Sequence, residues 1–386
     1  MAEEKRYKIV YCTPALYMAG GVERVLTLKA NYFAEHFGYN ITIILTEGER
    51  KPLFYPLSKK VNVVNLGIGF EELWNRSFIS KVFVYLVKQY RFKKKLTAEL
   101  MRLRPDITIS LLRREINFIN DIPDSSCKIG ELHVNRAHYR NFEEKDANLV
   151  KNVFAKIWMR NLVKKLRKLD SLVVLTERDR ETWHELSNVN VIPNPLSISP
   201  LGFSNLQEKR VISMGRYCHE KGYDYLLQAW AQVGQYCPEW RLDIFGDGDR
   251  SPYERMIDEL HIDRRRCVLH GRTSDVQSEF IHSSVAVCSS RFEGFGMVIV
   301  EAMACGIPVV SCDCPWGPRS IISDGEDGLL VENGNVEKLS HTLILLLAQK
   351  ENIVRLGSRA RFNVQRFEID TIAQKWKKLF EEVCVK

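Results

Sequence analysis

Several signatures of common protein classes are missing from this chain of 386 residues. None of its ten cysteines forms a CxxC pair, and most lie in apolar stretches, which is typical of reduced, buried thiols in the cytosol. No apolar region follows Met1, so we expect no signal peptide. No apolar run reaches the ~20 residues that a membrane helix needs, so membrane contact is expected to be peripheral at most. The predicted location is cytoplasmic.

Positive charge is concentrated in the first half of the chain. Residues 1–196 contain 33 Lys and Arg against 22 Asp and Glu, whereas residues 197–386 contain 23 and 26. This asymmetry indicates either that the first half alone meets an anionic surface or ligand, or that its charge serves solubility. No basic and aromatic platform accompanies the charge, so nucleic acid is not an expected partner.

Short apolar runs alternate with helical patterns along the whole chain. Strands are predicted at 8–12, 41–46, 61–66, 106–112, 128–132, 172–176 and 189–192, then at 210–215, 241–246, 267–270, 285–289 and 308–312. Helices are predicted from 22 and over 78–103, 147–169, 223–233, 253–260, 297–304, 336–349 and 371–384. The series is interrupted by Pro193-Asn194-Pro195 and a polar stretch to about 209, a good interdomain connector.

This alternation, repeated on both sides of the connector, predicts two doubly wound α/β domains with parallel sheets. We expect a Rossmann-like domain over 1–196 and a second over 197–370. A helix at 371–386 is expected to pack back toward the first domain. Ligands of such sheets bind at the carboxyl ends of the strands, so two facing domains make a cleft.

The sharpest motif is Glu293-Gly-Phe-Gly-Met-Val-Ile-Val-Glu301, which runs from a glycine turn into a helix. A helix start exposes unpaired N–H groups and attracts phosphate, and glycine lets a ligand approach closely. The amides at the start of this helix belong to Phe295, Gly296 and Met297. Carboxylates on either side of such a turn can accept hydrogen bonds from sugar and ribose hydroxyls.

Two further glycine turns follow predicted strands. Gly215-Arg216-Tyr-Cys-His-Glu-Lys221-Gly222 carries two cations, which can neutralise a diphosphate leaving group. Gly20 and Gly21 open the first helix without a GxGxxG pattern, so a dinucleotide fingerprint is not supported there. These two glycines are either a tight structural turn or a point where the backbone approaches a ligand.

Taken together, these motifs resemble those of the retaining glycosyltransferases of family 4, which have the GT-B fold. The resemblance covers nearly the whole chain and is strongest from about 210 to 335. The matching stretches are Gly20-Gly21, Gly215-Arg216, Glu220-Lys221-Gly222, Gly246-Asp247-Gly248, Glu293 to Glu301, Pro308-Val309-Val310 and Asp324 to Leu330.

The resemblance implies roles for the motifs of the second domain, which would bind a nucleotide sugar. Arg216 and Lys221 would bind the donor diphosphate, and Glu301 would hold the ribose hydroxyls. Glu293 would contact the transferred sugar near its reacting carbon. The amides of residues 295–297 would bind sugar hydroxyls and phosphate, and the base would pack near Gly271-Arg272.

In the first domain, where acceptors bind in this family, Gly20 and Gly21 would lie under the donor phosphates and close to the acceptor. A histidine after a late strand often faces the transferred sugar. Both His133 and His138 are candidates, and His133 is preferred because it is nearer to the strand end. Ser320 stands where the family commonly has a glutamate, which leaves one donor contact in doubt.

Neither a metal nor a cofactor is expected. Asp247-Gly248-Asp249 spells the DxD pattern that can bind a metal, but the resemblance assigns it to a turn, and Arg216 and Lys221 supply positive charge. The expected reaction is transfer of a hexose or N-acetylhexosamine, preferably from a UDP-sugar, to a saccharide or lipid-linked saccharide. No nucleophile and base pair is evident. The resembled family is described as retaining, so the resemblance implies same-face attack with retention.

Alternatives remain at this point: a sugar-nucleotide epimerase of the same architecture, an NAD-dependent oxidoreductase, and an inactive scaffold. Two basic stretches in the first domain invite docking of an anionic membrane. One runs over 81–95 and includes Lys88; the other comprises Lys156, Arg160, Lys164, Lys165, Arg167 and Lys168. The alternative is that their apolar sides pack on the sheet and the charges are merely solvated.

Overall fold

The computed structural model describes residues 5–73, 78–136, 139 and 149–384. The chain divides into two compact units. The N-terminal unit comprises Met1–Pro195 together with Ile369–Lys386, and the C-terminal unit comprises Leu196–Glu368. Within the described ranges, no helix combines the length and apolar character of a membrane span.

The N-terminal unit is built on a seven-stranded sheet in the order β3-β2-β1-β4-β5-β6-β7, and all of its pairings are parallel. The strands are β1 (Lys8–Thr13), β2 (Asn40–Leu45), β3 (Val61–Asn65), β4 (Ile107–Ser110), β5 (Cys127–Glu131), β6 (Ser171–Val174) and β7 (Val189–Val191). The helices are α1 (Gly21–His36), α2 (Phe78–Leu103), α3 (Leu149–Leu166) and α4 (Glu177–Thr182).

Both faces of this sheet are covered, as a parallel sheet requires. Successive residues of β1 point to opposite faces. Ile9 and Tyr11 therefore join one buried cluster with residues of α1, while Val10 and Cys12 join another with residues of α2 and α3. The near-continuous apolar run in β1 follows from this burial on both sides.

The C-terminal unit repeats this plan with a six-stranded parallel sheet in the order β10-β9-β8-β11-β12-β13. Its strands are β8 (Arg210–Met214), β9 (Arg241–Phe245), β10 (Cys267–His270), β11 (Val285–Cys288), β12 (Val309–Cys312) and β13 (Gly328–Val331). Its helices are α5 (Tyr223–Tyr236), α6 (Ser251–Glu259), α7 (Val276–Ile281), α8 (Met297–Ala304), α9 (Val336–Leu347) and α10 (Lys350–Asn363). The prediction of two α/β domains with parallel sheets is confirmed.

The last helix, α11 (Ile369–Val383), belongs to the N-terminal unit. Its buried residues recur at helical spacing: Ile372, Ala373, Trp376, Leu379, Phe380 and Val383. Phe380 packs edge-on against Tyr7 and Phe33, with ring centroids 6.3 and 5.7 Å apart. Each such aromatic side chain contributes about 1.5–3 kcal/mol by leaving water, so the end of the chain completes the core of its beginning.

Four short or charged elements were not predicted: α4, α7, β13 and α10. The first two have six residues each, so their helical patterns are too short to read, and β13 begins with a glycine, which is depleted in strands. Helix α10 is rich in charged residues, and only Ile353, Leu356, Gly357 and Ala360 are buried along its 14 residues. Its apolar stripe is too thin to stand out from the polar background.

Candidate functional site

The strand order of the C-terminal sheet reverses between β8 and β11, and ligands of such sheets bind at this point. The loop after β8 carries Arg216 and Lys221, and the segment after β11 carries Glu293. Two motifs that are far apart in the sequence thus leave neighbouring strands at the same edge. The sheet topology explains why they meet.

Lys221 and Glu293 are in direct contact. Lys221 Nζ donates to Glu293 Oε1 at 2.6 Å, and Ser290 Oγ donates to the same oxygen at 2.7 Å. The two charged side chains retain 20% and 13% of their exposure, so the pair is sheltered but still open to a ligand. Glu293 Oε2 accepts no hydrogen bond from the described residues, which leaves it available.

The charge on Lys221 is secured by its surroundings. Burial alone would lower the pKa of Lys221. The negative charge of Glu293 has the larger effect and raises that pKa above its ordinary value. Lys221 is therefore a fixed positive charge at neutral pH. An ammonium has three donors, so it can hold Glu293 and still donate to a phosphate oxygen.

Backbone contacts hold the two segments together. Ser289 Oγ donates to the carbonyl oxygen of Lys221 at 2.9 Å. The backbone amide of Arg291 donates to the carbonyl oxygen of Glu220 at 2.8 Å. Gly222 adopts φ +59°, and a Cβ there would lie 2.2 Å from the carbonyl oxygen of Ser289. Only glycine permits so close an approach in that conformation.

An ion pair that sequence reasoning missed ties the same segments. Arg291 binds Asp224 through two hydrogen bonds, at 2.8 and 2.6 Å. The Arg291 guanidinium holds the pKa of Asp224 below its ordinary value despite the opposing effect of burial. The two residues are 67 positions apart, so no local pattern could have revealed the pair.

The turn from Glu293 leads into α8 as predicted. Gly296 is the residue before the helix and has φ +105°, a conformation that favours glycine. Phe295 is buried and packs edge-on against Phe367, with centroids 5.5 Å apart. Helix α8 begins at Met297, so its first amides have no acceptor within the helix.

Glu301 lies one turn inside α8 and is 6% exposed. One of its carboxylate oxygens, Oε1, accepts a hydrogen bond from Ser197 at the start of the C-terminal unit. Ser197 follows the proline connector, 104 positions before Glu301, and it was not predicted as a site residue. The structure does not bring Glu301 into hydrogen-bonding contact with Glu293 or Lys221 among the described residues.

Arg216 is exposed and makes no hydrogen bond or ion pair with the described residues. It lies in the turn after β8, five positions before Lys221. The thiol of Cys218 and, to a lesser extent, the charge of Arg216 lower the pKa of Glu220. The guanidinium is thus near the motif without touching Glu293.

Gly271 and Arg272 follow β10 and are both exposed. A Cβ on Gly271 would meet nothing within 4 Å, so no steric reason requires glycine at this position. The adjacent His270 stacks on Phe245, with centroids 4.2 Å apart, and its Nε2 lies 2.6 Å from an oxygen of Asp243. The stacked rings of His270 and Phe245, at the ends of β10 and β9, were not predicted.

The acidic turn 247–249 is closed by its own backbone. Asp247 accepts from the amide of Gly248 at 2.9 Å, and Asp249 accepts from that of Ser251 at 3.0 Å. Among the residues that the structure describes, no cluster of three His, Cys, Asp or Glu could hold a metal. Ser320 Oγ likewise closes a local turn, donating to the carbonyl oxygen of Trp316 at 2.9 Å.

In the N-terminal unit, Gly20 precedes the first residue of α1 and Gly21 begins it. A Cβ on Gly20 would lie 2.0 Å from Glu23 Oε2, whereas one on Gly21 would meet nothing within 4 Å. Glu23 therefore folds back over the helix start, where its negative charge is favourable.

His133 lies two residues after β5, beside the last residue of that strand. Its Nε2 is 3.1 Å from Glu131 Oε1, and its side chain is 6% exposed. The other candidate, His138, lies outside the described residues. The sequence missed Lys29 of α1, which donates to the same oxygen of Glu131.

Comparisons with known proteins bear on this arrangement. Residues 201–362 match the family model described as "Glycosyl transferases group 1". An uncharacterized glycosyltransferase of Haemophilus influenzae is 28% identical over 365 residues, covering 93% of this chain and 96% of that protein. A poly(ribitol-phosphate) alpha-N-acetylglucosaminyltransferase of Staphylococcus aureus is 28% identical over 260 residues, and the match spans 66% of this chain but only half (50%) of that relative.

Among solved structures, S. aureus TarM superposes with a TM-score of 0.76 at 18% identity, covering 97% of this chain and 99% of that one. That protein was crystallised as a variant in complex with fondaparinux, alpha-GlcNAc-glycerol and UDP. At this identity the likeness establishes the fold alone. The family match over residues 201–362 places the C-terminal unit of this chain in the group 1 glycosyltransferases, family 4, and the solved structures show that the chain has the GT-B fold.

Proposed function

We propose that this glycosyltransferase is a retaining, metal-independent enzyme that uses a UDP-sugar. It transfers a hexose or N-acetylhexosamine to a saccharide or lipid-linked saccharide in polysaccharide synthesis. The observation that carries this proposal is the sheltered contact between Lys221 and Glu293 at the start of α8. The UDP in the TarM complex and the N-acetylglucosaminyl transfer named for the S. aureus relative support the donor class.

The described geometry suits a sugar diphosphate. Lys221 supplies a fixed charge with donors to spare, and exposed Arg216 supplies a second charge from the same loop. The first amides of α8 bind an oxygen of the phosphate or sugar. Glu293 Oε2 accepts from a hydroxyl of the transferred sugar while Oε1 stays with Lys221. Glu301 holds the ribose hydroxyls, and Ser197 orients its carboxylate.

The remaining predicted contacts complete the donor site. The base packs at Gly271-Arg272, beside the stacked His270 and Phe245. Gly20 and Gly21 allow the backbone to approach the donor phosphates and the acceptor, and His133 contacts the transferred sugar. The N-terminal unit binds the acceptor.

The chemical step relies on positioning and charge. The bond between the sugar and the diphosphate breaks first, leaving an oxocarbenium-like centre. The acceptor hydroxyl attacks from the same face and passes its proton to the departing diphosphate. Lys221 and Arg216 stabilise the charge that develops on this leaving group, and this is worth most in a sheltered site. No metal is required because the two cations neutralise the diphosphate.

The test is a panel of nucleotide sugars, scored first by thermal shift and then by nucleotide release with saccharide and lipid-linked acceptors. We expect a UDP-sugar to give UDP release that depends on acceptor and persists in EDTA, with the product linkage retaining the donor anomer by NMR. A new sugar nucleotide without free UDP would instead indicate an epimerase. Binding without turnover across the panel would indicate an inactive scaffold.

Peripheral contact with an anionic membrane is also proposed, through the N-terminal unit. Helix α2 carries Phe83, Leu86 and Tyr90 on one face, and they are 69%, 59% and 71% exposed. Lys94 follows one turn beyond Tyr90 and is also exposed. Apolar and aromatic side chains beside basic ones are typical of a helix that lies at a lipid surface.

Not every basic residue of the two stretches is available for this contact. Lys88 is buried and donates to Glu72 and to two backbone carbonyls, and Lys95 donates to the carbonyl of Leu66. On α3 the apolar residues Leu162 and Leu166 are buried in the core, and among the described side chains of that helix only Ile157, at 52% exposed, is a large apolar group open to solvent. The exposed apolar face of α2 is therefore the stronger candidate for insertion.

A further inference from the structure

A buried charge network lies directly beneath His133. Lys29 of α1 and Glu131 at the end of β5 form an ion pair whose side chains are 1% and 2% exposed. His133 Nε2 lies 3.1 Å from the oxygen that Lys29 contacts, within ion-pair distance. Glu131 and His133 belong to the same segment, whereas Lys29 lies 102 positions before Glu131.

The network holds a full carboxylate charge in the core. Burial alone would raise the pKa of Glu131, but Lys29 and His133 outweigh it and lower that pKa to about 2. Burial also lowers the pKa of Lys29, against the effect of Glu131. Two apolar residues of similar volume would stabilise the fold as well or better than such a pair. The stability of the core therefore does not explain why these two residues are charged. Their contact with His133 offers an explanation.

The end of the chain encloses the ammonium group. Lys29 Nζ lies 4.4 Å from the ring centroid of Trp376 in α11 and 5.8 Å from that of Tyr11 in β1. Both aromatic side chains are buried, so the cation faces two ring faces instead of water. Helix α11 thereby restricts where Lys29, and through it Glu131, can lie.

We propose that Lys29 and Glu131 are positioning residues for His133, and that Trp376 holds Lys29 in place. The carboxylate attracts the proton of the imidazole to Nε2, which leaves Nδ1 as the acceptor for a hydroxyl of the transferred sugar. This inference rests on the role proposed above for His133. Beyond that role, we infer that the buried Lys29–Glu131 pair sets the orientation of the imidazole, and that α11 contributes by holding Lys29 through Trp376.

The decisive variant replaces both charges together. K29M or E131L alone leaves one buried charge unpaired and is expected to lower stability, whereas K29M/E131L removes both and restores the melting temperature. In the double variant we expect the kcat for transfer to fall by about 10- to 100-fold, with the KM for the donor nearly unchanged. Adding H133A to the double variant should cause no further loss.

A spectroscopic measurement tests the same claim without activity. ¹⁵N chemical shifts of His133 should report the Nε2–H tautomer in the wild type and a mixture of tautomers in K29M/E131L. W376F should keep the wild-type tautomer, and W376L should move toward the mixture. The matched control is K128M/D124L, which removes another buried Lys–carboxylate pair, at the other end of β5, where no histidine of the described ranges is in contact.

The outcomes separate the inference from the proposed function. If the wild type transfers no sugar from any donor, the proposed function fails, but the ¹⁵N shifts still decide whether the pair orients His133. Unchanged ¹⁵N shifts in K29M/E131L would overturn the inference. So would a triple variant whose loss of kcat equals the product of the losses in H133A and in K29M/E131L. An equal loss of kcat in the K128M/D124L control would also overturn it.

Discussion

Two of the lysine–glutamate pairs of this glycosyltransferase, one in each unit, invite comparison because they differ in their access to solvent. Lys221 and Glu293 are 20% and 13% exposed and lie at glycine turns beyond two strand ends. Lys29 and Glu131 are 1% and 2% exposed and are enclosed by the aromatic side chains of β1 and α11.

This difference in burial separates two uses of the same chemistry. A pair that remains open can exchange part of its contact for a phosphate or a sugar hydroxyl. A pair that is fully enclosed can only act on its neighbours, because no ligand reaches it. On the roles proposed above, the C-terminal unit presents charge to the donor, and the N-terminal unit uses charge to orient a side chain.

The largest expected effect tests whether α11 is an integral part of the N-terminal unit. Trp376→Ala should destabilise that unit by about 3–5 kcal/mol, because it removes a buried aromatic side chain and uncovers Lys29. Hydrogen exchange should rise in α1 and β1 and remain unchanged in α5. Trp230→Ala, which empties a buried site of α5, is the matched control and should give the reverse pattern.

The next effect concerns the open pair. Lys221→Ala or Glu293→Gln should lower transfer by about 100-fold, equivalent to about 2.7 kcal/mol of lost transition-state stabilisation. Initial rates of UDP release measure it. Lys209→Ala, which removes an exposed lysine paired with Glu239, should leave the rate unchanged. A Lys221→Ala variant with normal kcat would contradict the role of this pair.

The two pairs should also differ in their response to pH. Because the pKa of Glu131 is about 2 in the fold against an ordinary 4.5, its stabilising contribution is complete above pH 4.5 and is lost as the pH falls toward 2. We expect about 2 kcal/mol of this acid sensitivity to be absent from K29M/E131L. Urea unfolding midpoints between pH 5 and pH 2.5 measure it.

The pair in the C-terminal unit provides the contrast. The pKa of Lys221 is raised in the fold, so its contribution is complete below its ordinary pKa of 10.5 and declines only at higher pH. The Lys221→Ala variant leaves the contacts of Glu131 intact, so it should keep the acid sensitivity that comes from Glu131. An equal loss of sensitivity in both variants would contradict the distinction.

The smallest expected effect concerns the exposed apolar face of α2 in the N-terminal unit. Phe83→Ser/Leu86→Ser should weaken co-sedimentation with anionic vesicles by about tenfold, since the partial insertion of the two apolar side chains together contributes about 1.4 kcal/mol. Lys375→Glu/Lys378→Glu, which reverses exposed charges on α11, is the control and should change binding little. Equal binding by all variants would remove the membrane proposal.

Much of the C-terminal unit could be predicted because its motifs are contiguous. The glycine turn before Met297 and the helix to Ala304 lie where the sequence indicated, since turn glycines and helix starts are local properties. The meeting of the Lys221 and Glu293 loops could be expected once two parallel sheets were inferred. The N-terminal unit was less readable because its buried network joins residues that are about 100 positions apart.

The sequence by itself determined the two α/β units, their connector and the residues that bear charge in the glycine turns. Those features follow from hydrophobic periodicity and from conformations that only glycine adopts readily. The tertiary structure alone decided that Ser197 contacts Glu301, that Lys29 lies under Glu131, and that Trp376 covers Lys29. These contacts depend on how distant segments pack, and no local pattern of residues encodes that packing.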